Sequence, residues 1–190
     1  MLLADSASPE RVTACVRHSL DRKVCNTANV ICLPRSPDLL AAVLQGITEA
    51  SASRSTRAII HCASSADELE VKRNLKPSDE VELHVHQGDH HLAEEWEWDQ
   101  QPEVSTRFTE SLEVSCELFN TYSPRFVVAV ISDDERDFEI VYRLCEAPFV
   151  GDGFTRWVDG QYALARPELG LSNWQHGRLF ARGGILSGDG

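Results

Sequence analysis

The stretch Arg22-Lys23-Val24-Cys25-Asn26 places a thiol beside two cations, just ahead of the apolar run from Val30 to Leu33. A cysteine acts as a nucleophile only as the thiolate, and nearby positive charge or helix-end amide groups favour that form. Arg22 and Lys23 supply such charge. The pattern therefore predicts a nucleophile held rigidly at Cys25, although the spacing alone also fits one of six ordinary reduced cysteines.

A second group of chemically capable side chains lies between β-strand-like segments. It contains His84, His86, His90 and His91, with Asp89, Glu94 and Glu95 close by. Imidazoles and carboxylates can ligate zinc or nickel, but the span reads as a long polar loop with a short edge segment, where solvated histidines are common. We predict no metal site, and we expect Trp96 and Trp98 to pack against a neighbouring element or an oligomer interface.

Net charge, cysteine content and the length of the apolar runs exclude some classes of function. The chain has 190 residues and a formal net charge of −12, with a pI near 4.9, so it repels phosphate backbones and anionic lipids. Nucleic acid and membrane are therefore poor partners. The six cysteines contain no CxxC pair, the N-terminus does not read as a signal peptide, and no apolar run is long enough to span a membrane. We expect a soluble, cytoplasmic protein.

The elements that must position these residues alternate between strand and helix. Ser8-Pro9-Glu10 predicts a helix over 9–20, residues 29–33 read as a strand, and Ser36-Pro37-Asp38 begins a second helix. Similar alternation continues to a short strand at Phe149-Val150. This order predicts a single α/β domain over 1–190 with layered helices on a mostly parallel sheet, ending in a mobile Gly-rich tail over 183–190.

Four motifs follow one another along the chain: the segment at Cys25, Thr155-Arg156-Trp157-Val158-Asp159-Gly160, Pro167 to Ser172, and Ala181-Arg182-Gly183. Together they resemble the glutamate-5-semialdehyde dehydrogenase (γ-glutamyl phosphate reductase) family of the aldehyde dehydrogenase superfamily. The segment at Cys25 is similar to the family's Arg-Pro-Ser-Val-Cys-Asn-Ala. The resemblance covers the C-terminal, cysteine-bearing half of such an enzyme and predicts an aldehyde dehydrogenase-like catalytic domain.

The resemblance implies a reaction. Cys25 would attack an acyl phosphate, and the resulting thioacyl enzyme would be reduced by NADPH to the semialdehyde, as in proline biosynthesis. The backbone amide of Asn26 would help to stabilise the oxyanion. Thr155, Arg156 and Arg182 would bind anionic substrate groups, although structural roles are equally compatible with them. A loop glutamate that contacts the cofactor in relatives falls near Glu97.

Departures from the family keep a second interpretation open. The proline before the cysteine is missing, and Phe154 stands where the family has serine. No Gly-rich phosphate loop opens a helix, so we expect little NADP binding by this chain alone and a separate nucleotide-binding chain as a partner. We also expect a homo-oligomer. The alternative is a degenerate, non-catalytic domain that serves oligomerisation or partner binding.

Overall fold

Alternating strands and helices build one seven-stranded sheet in the computed structural model, which describes residues 1–24, 27–147 and 149–152 and the backbone of two short strands beyond them. The elements are β1 Leu2–Leu3, α1 Pro9–Ser19, β2 Val30–Leu33, α2 Pro37–Ala52, β3 Ala58–Cys62, α3 Ser65–Asn74, β4 Val81–Val85, a 3-10 helix Asp89–Ala93, β5 Glu103–Phe108, α4 Leu112–Tyr122, β6 Val127–Ile131, α5 Glu135–Leu144 and β7 Phe149–Gly151. A separate antiparallel pair joins β8 Trp174–Gln175 to β9 Arg178–Leu179.

The sheet runs in the order β4-β3-β5-β2-β1-β6-β7, and its neighbouring strands pair in parallel. Parallel neighbours need crossover connections, which the helices supply. Side-chain oxygens of the residue before each α-helix accept from its first turn and so define where it begins. These N-cap residues are Ser8, Ser36, Ser64, Ser111 and Asp134.

Two hydrophobic clusters cover opposite faces of the sheet. The larger joins α1, α2 and α3 to one face through residues such as Leu33, Ile47 and Ile60. The smaller joins α4 and α5 to the other face, but only over β1, β2, β6 and β7, where Cys32 and Val130 are buried. On that second face, β3, β4 and β5 have no α-helix above them among the described residues. Hydrophobic side chains therefore cover the whole of one sheet face, whereas part of the other face is polar.

The predicted α/β class with a mostly parallel sheet is confirmed. Three details of the prediction were wrong. Leu2–Leu3 is a central strand that was not predicted, because two residues are too few to show a period. The predicted edge segment between His86 and Pro102 is a 3-10 helix. Tyr142 was expected on the buried face of α5, but 61% of its surface is exposed. The buried face of the helix is centred on Val141, and the next residue lies beside that face.

No helix in the described part of the chain is both long and apolar enough to cross a membrane. The predicted tail over 183–190 lies outside the described residues.

The contact between α1 and α2 is so close at Gly46 that an added Cβ would lie 2.8 Å from both the carbonyl oxygen of Thr13 and the Cβ of Val16. We expect Gly46→Ala to lower the free energy of unfolding by about 1–3 kcal/mol through overpacking, despite the better helix propensity of alanine. Urea denaturation measures the change. Gln45→Ala, on the exposed side of the same helix, is the control and should change stability little. A Gly46→Ala protein as stable as the native one would contradict this account.

Candidate functional site

The loop that carries Cys25 joins α1 to β2 at the amino-terminal edge of the sheet. We define the Cys25 loop as residues 20–29. Cys25 and Asn26 lie outside the described residues, but hydrogen bonds fix the residues on both sides of them. The Thr27 amide donates to the Val24 carbonyl at 3.0 Å, and the Val24 amide donates to the Thr27 hydroxyl oxygen at 2.8 Å. The Ala28 amide donates to the Ser19 hydroxyl oxygen at 2.8 Å.

Asn29 connects this loop to the segment between β4 and β5, which we call the covering segment (residues 86–100). Its side-chain amide donates to the Glu94 carbonyl at 2.6 Å, while its side-chain oxygen accepts from the Trp96 amide at 2.9 Å. Its carbonyl accepts from the Ser105 amide at 2.9 Å, at the start of the β2–β5 pairing. One asparagine thus joins the end of the Cys25 loop to the covering segment and to the sheet.

Two cations reinforce the same junction. Lys23 lies 3.4 Å from a carboxylate oxygen of Glu95, and the Lys23 side chain is only 11% exposed. Arg54, at the end of α2, donates to the Asp21 carbonyl at 2.5 Å and to the carbonyls of Asp99 and Gln100 at 3.1 Å and 3.2 Å. Lys23, predicted to supply positive charge near the thiol, is therefore partly neutralised by an ion pair.

The covering segment lies over polar side chains of the sheet. The register aligns Ile59 with Glu103 and His61 with both Ser105 and His84. These residues share the sheet face of Cys32, because Cys32 pairs with Arg107 two positions after Ser105. Alternation in a strand puts every second side chain on one face. On this face the side chains are mainly polar over β3, β4 and β5, whereas they are apolar over β1, β2 and β6.

His61 is the centre of that polar surface. It is 2% exposed; its Nδ1 lies 2.8 Å from Nε2 of His86, and its Nε2 lies 2.8 Å from a carboxylate oxygen of Glu103. A carboxylate accepts only, so neutral His61 donates from Nε2 to Glu103 and accepts at Nδ1 from His86. We call His86, His61 and Glu103 the histidine relay.

Burial lowers the pKa of His61, and the hydrogen bond to Glu103 opposes this effect. The relay holds one extra proton without breaking, because a charged His61 donates from both nitrogens and neutral His86 can then accept. A second proton would direct two N–H groups at each other. The folded state therefore favours the neutral form of His61.

Trp96 connects the relay to the Cys25 loop. Its ring lies parallel to the His61 ring with centroids 3.7 Å apart and an interplanar angle of 2°. Its indole N–H donates to the Ser105 hydroxyl oxygen at 2.9 Å. The apolar ring of Trp96 is therefore packed and its N–H group is hydrogen-bonded. This agrees with the predicted packing of Trp96 against a neighbouring element. These partners of Trp96, His61 and Ser105, belong to the same chain.

The remaining histidines are arranged around this pair. His91 stacks on His86 with centroids 4.3 Å apart and donates from Nδ1 to the Gly88 carbonyl. Burial lowers the pKa of His91, and its buried Nε2 has no hydrogen-bond partner among the described residues. Asp89 binds Arg107 through both carboxylate oxygens, at 2.6 Å and 3.3 Å. Among the described residues, no group of three ligands could hold a metal ion.

The five described cysteines are buried and have no disulfide partner: Cys15, Cys32, Cys62, Cys116 and Cys145. Burial raises the pKa of Cys15, and it raises the pKa values of Cys32 and Cys62 to about 11. A hydrogen bond between Cys116 and Cys145 lowers the pKa of the first and raises that of the second. These thiols are packing groups shielded from reagents in solution.

The carboxyl-terminal edge of the sheet carries a cavity of about 290 Å³. Doubly wound sheets bind dinucleotides at this edge, where the strand order reverses. Here four acidic side chains line the cavity: Asp5, Glu113, Asp134 and Asp137. Residues 5–8, which follow β1, contain no glycine. The described residues therefore do not fit the pyrophosphate of NADP at this edge.

The structure brings together only part of the predicted site. Glu97 is exposed in the covering segment, next to Trp96, and so lies on the segment that joins the Cys25 loop. The predicted catalytic and substrate-binding residues lie outside the described residues: Cys25, Asn26, Thr155, Arg156 and Arg182. Sequence analysis missed His61, because it lies in the apolar strand Ala58–Cys62. The missed signal was a single polar residue within that run.

Solved structures with this fold include two γ-glutamyl phosphate reductases. The enzyme from Thermotoga maritima is 11% identical with a TM-score of 0.65, covering 90% of this chain. The enzyme from Saccharomyces cerevisiae is 15% identical with a TM-score of 0.58, covering 84%. An acetylating aldehyde dehydrogenase from Geobacillus thermoglucosidasius is 13% identical with a TM-score of 0.54, covering 85%.

This chain spans 38%, 36% and 41% of the lengths of those three proteins. No family model matches the sequence, and no curated protein matches it. The predicted resemblance is thus confirmed at the level of the fold: the chain has the architecture of one part of these aldehyde dehydrogenase-like structures.

Asn29 is expected to hold the covering segment through its two side-chain hydrogen bonds. Asn29→Ala should lower the free energy of unfolding by about 1–3 kcal/mol, the net value of two such bonds. It should also speed amide hydrogen exchange at 94–96 more than in α2. Asn74→Ala, which removes one side-chain bond within α3, is the control and should leave exchange at 94–96 unchanged. Equal exchange at 94–96 in both variants would contradict the role of Asn29.

The lowered pKa values of His61 and His91 predict how stability depends on pH. A histidine whose pKa is lower in the folded state stabilises the fold above its unfolded pKa of about 6.5, and this contribution is lost as the pH falls through the folded pKa. We expect the urea midpoint to fall between about pH 7 and about pH 5. His61→Gln should flatten the profile, whereas exposed His18→Gln should not. A midpoint constant over this range would contradict the burial of neutral imidazoles.

Proposed function

We propose that this chain is the thiol-bearing part of an oxidoreductase that reduces γ-glutamyl phosphate, with Cys25 as the nucleophile. The best support is the position of Cys25: it lies between α1 and β2 in a loop whose flanks are hydrogen-bonded on both sides. The same order of thiol, strand and helix occurs in the family that the sequence motifs resemble, and solved γ-glutamyl phosphate reductases share the fold. A loop fixed at both ends suits a positioned nucleophile.

The proposed covalent step is an acyl transfer. The Cys25 thiolate attacks the carbonyl carbon of the acyl phosphate, a C–S bond forms, and the C–O bond breaks as phosphate leaves with its electron pair. The product is a thioester on Cys25, and this exchange divides a difficult displacement into two easier steps. Hydride reduction of that thioester then yields the semialdehyde and returns the thiolate.

Other residues take the roles that the resemblance implies. The backbone amide of Asn26 donates to the oxyanion that forms during attack. Thr155, Arg156 and Arg182 bind the anionic groups of the substrate, the arginines through paired N–H donors. The hydride donor is NADPH, which we assign to a nucleotide-binding domain or chain outside these residues, with Glu97 near the junction.

The cellular compartment and the oligomeric state are also part of the proposal. Buried, unpaired cysteines suit a reducing compartment, so we place the protein in the cytoplasm. We also propose that it assembles as a homo-oligomer.

A reactive Cys25 should be the thiol alkylated first in the folded protein. We expect one fast equivalent with iodoacetamide near neutral pH, lost in Cys25→Ser, because the five described cysteines are buried. The other thiols should react only after denaturation. Peptide mass spectrometry identifies the labelled position, and Cys15→Ser is the matched control that should keep the fast equivalent. A native protein in which Cys25 reacts no faster than the buried thiols would favour the degenerate, non-catalytic interpretation.

A further inference from the structure

Strand β4 (Val81–Val85) lies at one end of the sheet, and in the described part of the chain only β3 pairs with it. We propose that two copies of this chain join their sheets at this strand, with the two β4 strands antiparallel and Leu83 lying on the twofold axis. The contact would be the interface of the homo-oligomer proposed above, and so it rests on that part of the proposed function. It does not depend on the reaction at Cys25.

The backbone groups of β4 point alternately toward β3 and away from it. The Glu80 carbonyl accepts from β3 at 3.0 Å, and the His86 amide donates to β3 at 2.8 Å. The even-numbered residues therefore face β3, and the amides and carbonyls of Val81, Leu83 and Val85 face outward. Apart from the Val81 amide, which donates to the carbonyl two residues earlier at 3.1 Å, these groups have no hydrogen-bond partner among the described residues. Such a row of unpaired groups is a template for another strand.

A twofold axis through Leu83 would give these outward groups partners. Antiparallel strands exchange two N–H···O=C bonds at alternate residue pairs. With Leu83 opposite its own copy and Val81 opposite Val85, the hydrogen-bonded pairs fall on the three residues whose groups face outward. Moving the axis one residue, to Glu82, would shorten the overlap and place two glutamates directly opposite each other, which destabilises a strand pair.

The same axis places Glu82 of each copy opposite His84 of the other. These residues form the non-hydrogen-bonded pairs, in which the side chains of neighbouring strands are closest. The Glu82 and His84 side chains are 45% and 42% exposed, and within one chain they bond each other at 2.9 Å. A carboxylate has two acceptor oxygens, and an imidazole N–H donates to it in either charge state. Arg57, 3.7 Å from the second carboxylate oxygen of Glu82, adds a cation to the same surface.

The opposite face of the strand would join the hydrophobic cores of the two copies. Val81 and Leu83 already pack against the larger hydrophobic cluster, whereas Val85 is 37% exposed at the end of the strand. Pairing with Val81 of the second copy would cover part of that surface, and burial of apolar area is favourable. Both faces of β4 are therefore complementary to a second β4.

Charge and symmetry favour a closed pair of chains over an indefinite assembly. A net charge of −12 makes copies of the chain repel each other, so only a contact with matched partners should hold them together. Twofold pairing uses the same edge in both copies and closes at two. Strand β7, at the other end of the sheet, has only three residues. Five-residue strands bury less area than a standard interface, so the dimer should dissociate on dilution through the micromolar range.

Sedimentation velocity over a dilution series of the intact protein, at an ionic strength of about 0.15 M, measures the dimer. We expect a species of twice 21.2 kDa that dissociates to single chains on dilution. His84→Lys should lower the dissociation constant about five-fold and His84→Glu should raise it about five-fold, because each variant alters two cross-strand charge pairs at once. His18→Lys and His18→Glu make the same charge changes at an exposed position of α1 and should leave the constant near its native value.

The substitution Val85→Pro tests the backbone contact. Proline removes an outward amide and so prevents the paired hydrogen bonds across the axis, but edge strands tolerate it where that amide has no partner in the strand's own sheet. We expect Val85→Pro to be a single chain at concentrations where the native protein is a dimer, with a similar urea midpoint. If this variant does not fold, the two His84 variants carry the comparison.

Two results would overturn the inference. One is a native protein that remains a single chain up to about 1 mM. The other is a dimer whose dissociation constant is unchanged by both His84 variants, which would place the homo-oligomer contact on another surface. Alkylation of Cys25 separates this interface from the proposed reaction: an unreactive Cys25 in a dimer that responds to the His84 variants rejects the reaction and leaves the interface supported.

Discussion

A parallel sheet must have both faces covered, and the helices in the described part of this chain cover one face fully and the other only in part. Helices α1 to α3 cover one face, whereas α4 and α5 cover only the part of the other face that includes Cys32 and Val130. Parallel strands are normally buried on both sides. The remaining surface over β3 and β5 is covered by the covering segment, which packs the Trp96 ring on His61.

This requirement explains why polar side chains are buried there. Outside its short 3-10 helix, the covering segment has no regular element to satisfy its backbone, so it bonds to the sheet surface, and buried polar groups must find partners. His61 and Ser105 provide them, one through its ring and the other through its hydroxyl. The same segment bonds Asn29 and Lys23, so closing the sheet surface also fixes the loop at the amino edge. One short stretch of chain thus contacts both the sheet surface and the Cys25 loop.

Sequence patterns predicted the parts of this fold that depend on local periodicity. The helix that begins after Ser36 and the strand ending at Leu33 were found because caps and apolar runs are short-range signals. The histidine relay was not predicted, since it joins β3, the residue after β4 and the first residue of β5. Only the strand register brings His61 beside Glu103 and His86. The sequence pattern draws attention to the four histidines between 84 and 91, but His61, at the centre of the relay, lies in an apolar run.

The two edges of the sheet offer different chemistry. At the carboxyl edge, carboxylates such as Asp5 and Asp137 line the cavity, and Asp134 accepts from the first turn of α5, with Arg136 lowering the pKa of Asp134 to about 2. Such a surface repels phosphate groups. The amino edge instead carries the Cys25 loop, with Lys23 and Arg54 at its junction with the covering segment. Under the proposed function, a phosphorylated substrate would reach the thiol at the amino edge of the sheet.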